Sequence, residues 1–148
     1  MRPISLVRFC LLAFIVLVTP VRAQFSAELQ TLAGFAQRAG LEDVRGFVET
    51  VESLRTNKRL PPRYATKDEA KAHGWRGGGL CAVWPGHTIG GDEFHNFGRA
   101  LPAGPGRVYR EADLDSTCRS RGAKRLIYSN DGLIFITTDH YNSFVPLP

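Results

Sequence analysis

The side chains best suited to chemistry are a carboxylate, an imidazole and several guanidinium groups in the last third of the chain. Glu111 follows Arg110, Arg121 and Arg125 come next, and His140 ends the last β-type segment. Metal-free cleavage of an RNA phosphodiester needs a base for the 2′-OH proton, an acid for the leaving 5′ oxygen and cations for the phosphoryl oxygens. Arginine suits the cationic role through its planar fork of donors. The residue types fit this chemistry, but taken singly they also fit a surface ion pair and a structural histidine.

Motifs of other catalytic classes are missing from the sequence. It contains no phosphate-binding loop, HExxH, CxxC or GxSxG pattern. Asp92, Glu93 and His95 are close in sequence, but three neighbours on one loop do not define a metal site. We therefore expect no metal ion and no other cofactor.

Two helices are predicted ahead of these residues, because apolar positions recur at helical spacing. The first covers residues 26–39 and stops at Gly40. The second has an apolar face from Leu41 to Leu54 and continues through Arg55. Both apolar faces are typical of core packing.

A third, short helix is predicted from a capping box. Thr66 is a suitable N-cap, Glu69 completes the box, and Gly74 ends the helix. Lys67 then lies in the first turn, where a cation is mildly unfavourable to the helix dipole. This position hints at another purpose for Lys67, and a solvated lysine is the alternative.

The last third of the chain predicts an antiparallel sheet. Residues 76–107 are rich in Gly and Pro and predict loops with short strands. In residues 107–114, Tyr109, Glu111 and Asp113 share one face of a strand. The runs RLIY at 125–128 and LIFIT at 133–137 flank an Asp-Gly turn, which predicts a hairpin. Helices followed by strands indicate an α+β domain.

The first 23 residues have the layout of a secretory signal peptide. Arg2 and Arg8 give a basic start, an apolar run of ten residues follows, and Val21-Arg22-Ala23 resembles a cleavage site. That run is too short for the roughly 20 residues of a membrane span. We expect secretion to the exterior, with the periplasm as the alternative, and a mature domain of residues 24–148 that is not membrane-associated.

Two cysteines, Cys81 and Cys118, remain after cleavage because Cys10 belongs to the signal peptide. An even pair in an exported chain favours a disulfide, with two buried thiols as the alternative.

The charge of the mature chain is unevenly distributed. Residues 58–125 carry 13 Lys and Arg against 7 Asp and Glu, a local charge of +6. Such a segment suits a phosphate-bearing partner. An ordinary solvated basic surface explains it equally well.

Several of these stretches, taken in order, resemble the barnase-like family of microbial guanyl-specific ribonucleases. They are LPPRYATKDEA at 60–70, GW at 74–75, IGGD at 89–92, YREADL at 109–114, RLIYS at 125–129 and TTDHY at 137–141. The resemblance extends from about residue 47 to the C-terminus, and the helix within residues 24–40 looks like an addition. It implies N-terminal helices packed on a roughly five-stranded antiparallel sheet, with the site on the open face.

The resemblance also implies roles for the site residues. Glu111 would be the general base and His140 the general acid, while Lys67, Arg121 and Arg125 would hold the scissile phosphate. A monomeric enzyme would cleave single-stranded RNA to a 2′,3′-cyclic phosphate and then hydrolyse it to a 3′-phosphate, without a metal.

Two further residues have implied supporting roles. Asp113 matches a position that braces the two arginines. Tyr141 follows the acid and would seat a base by stacking, which is worth roughly 1–3 kcal/mol per base. Plain core packing is the alternative for Tyr141.

One loop departs from the family pattern. Where the family has Phe-x-Asn-Arg-Glu, this chain has Phe94, His95, Asn96, Phe97 and Gly98. The acidic group that accepts hydrogen bonds from guanine is thus missing. Backbone contacts from His95, Asn96 and Phe97 would survive, and the Phe97 ring offers a stacking surface.

The loss of that acceptor leaves the guanine preference open. Arg99 would partly restore the charge lost where Phe97 replaces an arginine. The altered loop is also the only support for an alternative function, a non-catalytic secreted module that binds RNA or protein. A purely structural exported domain explains neither the acid–base pair nor the cations. An acidic inhibitor protein in the producing cell is a further partner that the family implies.

Overall fold

The described part of the chain forms helices packed on one mostly antiparallel sheet. A computed structural model describes residues 21–148, with side chains from residue 26 onward. Its elements are α1 (Val21–Arg38), α2 (Val44–Asn57), β1 (Tyr64–Ala65), α3 (Lys67–Ala72), β2 (Thr88–Phe94), β3 (Tyr109–Asp113), β4 (Arg125–Ser129), β5 (Ile134–Thr137) and β6 (Val145–Pro146). The predicted α+β fold is confirmed.

The sheet differs in detail from the roughly five antiparallel strands that were predicted. Its described part has six strands in chain order, and β1 pairs with β2 in parallel while the other neighbours are antiparallel. The strands at the two edges, β1 and β6, contain two residues each. Strands this short carry no readable period, so sequence patterning does not reveal them.

The helices α1 and α2 cover one face of the sheet. Both predicted helices are observed, although α1 begins at Val21, five residues before its predicted start. Asp43 caps α2 by accepting a 2.8 Å hydrogen bond from the Gly46 amide. The main core contains Leu32, Ala36, Leu41, Phe47, Val51 and Leu54 from the helical part and Leu114, Leu126 and Ile136 from the sheet part. A smaller apolar cluster, centred on Leu101, Tyr109 and Ile127, lies apart from this core.

Most of the predicted signal peptide, residues 1–20, lies outside the described residues. The predicted cleavage position after Ala23 falls within α1, which begins at Val21. Among the residues that the structure describes, no helix is long and apolar enough to cross a membrane. The signal peptide and the 24–148 domain boundary stay predictions.

The capping box that begins α3 is confirmed. The Glu69 carboxylate accepts a 2.7 Å hydrogen bond from the Thr66 amide, and the Thr66 hydroxyl caps the Glu69 amide. Just beyond the helix, Gly74 adopts φ +88°, as a glycine stop requires. Lys67 is therefore the first residue of α3, as predicted.

The full length of β2 was not predicted, because glycines interrupt its sequence pattern. The sequence predicted loops with short strands over residues 76–107, yet β2 spans seven residues. A Cβ at Gly90 would lie 2.5 Å from the Tyr64 ring, and Gly91 adopts φ +104° at a register shift between Gly90 and Asp92. Glycine is thus required at position 90 by the close approach of the Tyr64 ring and at position 91 by the bulge, although glycine is disfavoured in strands.

The disulfide between Cys81 and Cys118 is confirmed. It joins the 3₁₀ turn Leu80–Ala82 to the loop between β3 and β4. The two segments approach so closely that a Cβ at Gly79 would lie 1.7 Å from the Thr117 carbonyl oxygen. The bridge therefore anchors the loop that leads to Arg121.

Replacing both cysteines by serine should lower the free energy of unfolding by roughly 3–4 kcal/mol, because the bridge closes a 37-residue separation in the unfolded chain. Urea denaturation of the oxidised parent and of Cys81→Ser/Cys118→Ser measures this difference. A reducing agent should destabilise the parent and leave the double variant unchanged. Equal stability of the two oxidised proteins would contradict the prediction.

Candidate active site

The centre of the site is Glu111, in the middle of β3. It shares a face with Tyr109 and Asp113, and its side chain is only 8% exposed. Lys67 Nζ donates a 2.8 Å hydrogen bond to Oε1, and the Tyr141 hydroxyl donates a 2.6 Å hydrogen bond to Oε2. Both carboxylate oxygens are thus held by donors from different elements.

The electrostatic surroundings keep Glu111 ionised. Burial alone would raise the pKa of its carboxyl group, but hydrogen bonds from Lys67 and Tyr141 and the charges of Lys67 and Arg121 outweigh it. The pKa of Glu111 is therefore lowered from its ordinary value. A carboxylate that is ionised at neutral pH is ready to accept a proton.

The Asp113 carboxylate contacts both arginines. Arg121 donates two 2.8 Å hydrogen bonds to its carboxylate, and Arg125 Nε forms an ion pair with it at 3.1 Å. Asp113 and Arg125 are both almost fully buried. Arg121 also lies 4.0 Å from Glu111 Oε1, so it links the Asp113 pair to the central carboxylate.

Lys67 is directed into the site by the start of α3. The Lys67 backbone amide donates to both carboxylate oxygens of Asp92, at 3.1 and 3.2 Å. Asp92 therefore anchors the N-terminus of α3 to β2. Sequence patterns suggest only a metal-ligand role for Asp92 and do not reveal this one, although the IGGD motif contains the residue. Within residues 21–148, no group of three or more His, Cys, Asp or Glu side chains could hold a metal ion.

His140 is exposed at a turn after β5. His140 and Tyr141 both have positive φ, +56° and +70°, which is costly for residues other than glycine and is often found at functional sites. Asp139 stabilises the turn by accepting hydrogen bonds from Thr137 Oγ1 and from the amide and hydroxyl of Ser143. The His140 ring lies 4.9 Å from the ring of Tyr141, the residue whose hydroxyl contacts Glu111.

An apolar cavity of about 390 Å³ adjoins this centre. Its walls contain Glu111, Tyr141 and the altered loop, including His95, Asn96 and Phe97. The lining is completed by Glu93, Phe94, Gly98, Ala100 and Phe144. The cavity thus places the predicted base-binding loop next to the predicted general base.

The structure shows how two residues of the predicted base-contact group are placed. The Asn96 side chain bonds the backbone of Leu101 at 2.9 and 3.1 Å, so it stabilises the loop. Arg99 is exposed and is not among the residues that line the cavity. The structure therefore does not bring Arg99 together with the other site residues.

The chain is similar to proteins of known name across the whole site. A family model described as ribonuclease matches residues 48–148. A ribonuclease of Bacillus intermedius is 41% identical over 128 residues, covering 85% of this chain and 79% of that protein. A ribonuclease of Heyndrickxia coagulans is 51% identical over 103 residues, covering 68% of this chain and 94% of that protein.

Asp113→Ala should lower the free energy of unfolding by about 3–5 kcal/mol, because it leaves buried cationic charge without its partner. Chemical denaturation monitored by circular dichroism gives this value. The control is Arg45→Ala, since Arg45 is 90% exposed and its ion pair with Glu49 should contribute less than about 1 kcal/mol. A similar cost for both substitutions would show that Asp113 is not a structural brace.

Proposed function

The chain belongs to the barnase-like family of microbial ribonucleases, and on this basis we propose that it is a secreted endoribonuclease that cleaves single-stranded RNA without a metal ion. The observation that carries the proposal is the buried, ionised Glu111. Lys67 and Arg121 surround it, and it opens onto the apolar cavity. A carboxylate with cations beside it suits proton abstraction next to a phosphate.

In the first step, Glu111 accepts the proton of the ribose 2′-OH as the 2′ oxygen attacks phosphorus. The bond from phosphorus to the 5′ oxygen breaks, and His140 protonates that oxygen. This gives a 2′,3′-cyclic phosphate. In the second step, His140 takes a proton from water, whose oxygen attacks phosphorus. The bond from phosphorus to the 2′ oxygen breaks, and Glu111 returns its proton to that oxygen. The product is a 3′-phosphate.

Charge on the phosphoryl oxygens is stabilised by Lys67, Arg121 and Arg125. Two hydrogen bonds from Arg121 to Asp113 fix the plane of that guanidinium group. Arg125 pairs with the same carboxylate, and its Nη1 donates to the backbone carbonyls of Arg121 and Lys124. Both groups are therefore set before substrate binds, which limits reorganisation during the reaction. The hydrogen bond to Asp113 also raises the pKa of Arg121 above its ordinary value, so that group stays charged. In this mechanism the side chains supply the positive charge that a metal supplies in other nucleases.

The cavity beside Glu111 would hold a nucleobase. Phe97 is 88% exposed at its rim, and the His95 and Phe97 rings lie 5.2 Å apart, which offers aromatic surface for stacking. Gly98 supplies no carboxylate for the N–H groups of guanine. We therefore propose base recognition by stacking and backbone contacts, with a weaker guanine preference than the family pattern implies.

We further propose that residues 1–23 direct export, that residues 24–148 act as a monomer, and that α1 is an addition to the family domain. The local charge of +6 in residues 58–125 would also suit an acidic inhibitor protein in the producing cell.

Glu111→Gln and His140→Ala should each lower kcat/KM by roughly 10²–10⁴-fold, since each removes one proton-transfer group. The measurement uses a defined single-stranded RNA in a metal chelator, with chromatography to separate the cyclic phosphate from the 3′-phosphate. His73→Ala and Glu42→Gln are matched controls outside the site and should retain full activity. RNA binding without cleavage by the parent would favour the non-catalytic module, and loss of parent activity in chelator would rule out the metal-free mechanism.

Gly98→Glu should increase the preference for guanine over adenine by on the order of tenfold or more, because a charged acceptor meets the guanine N–H groups. The chain has room for this change, since a Cβ at Gly98 meets nothing within 4 Å. Dinucleotides with each base 5′ to the bond report kcat/KM for the parent, for Gly98→Glu and for the control Gly98→Ala. A sharp guanine preference in the parent would show that Gly98 does not relax base choice.

A further inference from the structure

The phenol of Tyr141 makes a contact that neither base stacking nor core packing explains. Its hydroxyl donates a 2.6 Å hydrogen bond to Glu111 Oε2, on the carboxylate oxygen that Lys67 leaves free. The ring is stacked on Phe94 at 5.5 Å, and the Arg125 guanidinium lies 6.0 Å from its centroid. The Tyr141 amide is fixed by a 3.0 Å hydrogen bond to Thr137 Oγ1. The hydroxyl is thus held in place from several sides.

Tyr141 reaches this position through an unfavourable backbone conformation. Its φ of +70° follows the φ of +56° at His140, and such residues persist only where the surrounding structure holds them. The same turn therefore directs the imidazole of His140 and the hydroxyl of Tyr141. A residue needed only for its ring would not require this approach to Glu111.

The hydrogen bond has a direct chemical effect on the carboxylate. A donor to the ionised form lowers the pKa of a carboxyl group and fixes its plane. Burial and the bond to Glu111 raise the pKa of Tyr141 to about 12, so the phenol remains a protonated donor at the pH values where the enzyme would work. Oε2 keeps a second lone pair, which remains available to the 2′-OH.

We propose that Tyr141 is a positioning residue, whose hydroxyl orients the Glu111 carboxylate through the 2.6 Å hydrogen bond to Oε2. The inference rests on the proposed role of Glu111 as general base. The other charged or titratable groups of the site are Lys67 on α3, Asp92 and Glu93 on β2, His95, Asp113 on β3, Arg121, Arg125 on β4 and His140. Two donors contact the Glu111 carboxylate directly, the charged Lys67 and the neutral Tyr141.

Tyr141→Phe tests the proposal because it removes the hydroxyl and keeps the ring. We expect the low-pH limb of the kcat/KM profile to move up by about one pH unit. In the substrate-free variant the ionised Glu111 carboxylate accepts one hydrogen bond fewer, which raises its pKa. The variant would thus begin to lose activity at a higher pH than the parent. At neutral pH, kcat should fall by roughly tenfold with little change in KM for a dinucleotide, because misplacement of a catalytic group slows the chemical step.

A second measurement does not depend on activity. Carbon-detected NMR titration of the Glu111 carboxyl group should give a higher pKa in Tyr141→Phe than in the parent. Tyr109→Phe is the matched control, because the Tyr109 hydroxyl donates to the Pro102 carbonyl and its loss should leave the Glu111 pKa unchanged. Replacing the tyrosines of the parent with 3-fluorotyrosine, a stronger donor, should lower the Glu111 pKa without any substitution that risks misfolding.

The possible outcomes separate the inference from the proposed function. An unchanged Glu111 pKa in both the phenylalanine variant and the fluorinated protein overturns the positioning role, even if Glu111→Gln abolishes cleavage. The positioning role is also overturned if Tyr141→Phe has parental kinetics and Tyr141→Leu has a raised KM. That pair of results would assign the Tyr141 ring to base stacking. If Glu111→Gln retains full activity, the proposed function fails, while the NMR titration still reports whether the hydroxyl controls the carboxyl group.

Discussion

Two carboxylates buried on one face of a single strand impose the main constraint on this molecule. Alternation along β3 turns Glu111 and Asp113 to the same side, where they are 6% and 2% exposed. Buried charge is tolerated only when it is paired and hydrogen-bonded. The surrounding elements satisfy this requirement, because α3 supplies Lys67, the loop after β3 supplies Arg121 and the start of β4 supplies Arg125. The cations that the carboxylates require are also the cations that a phosphate would contact.

The parts that could be predicted from sequence depend on local chemistry. The capping box at Thr66 fixes the start of α3, the Asp-Gly turn fixes the β4–β5 hairpin, and period-two alternation places Glu111 and Asp113 together. The cysteine pair was predictable because only two cysteines lie outside the predicted signal peptide. In each case the deciding residues are neighbours in sequence or members of a regular pattern.

The parts that could not be predicted depend on contacts between distant segments. Gly90 and Gly91 hide β2, since their role is visible only when Tyr64 and Ala112 pack against them. Asp92 anchors the start of α3 from 25 residues away, and the Tyr141 hydroxyl reaches Glu111 across a separation of 30 residues. The family resemblance supplied the partners of Asp113, but no spacing rule does so.

The sharing of Asp113 by two guanidinium groups divides the site into a fixed part and a variable part. Changes at residues that share one partner are not additive, so neither arginine can change without altering the setting of the other. The exposed loop tip at Phe97 and Gly98 has no such coupling to the arginines. In the proposed mechanism, base choice can therefore change at the loop tip while the set of residues that acts on the phosphodiester stays intact.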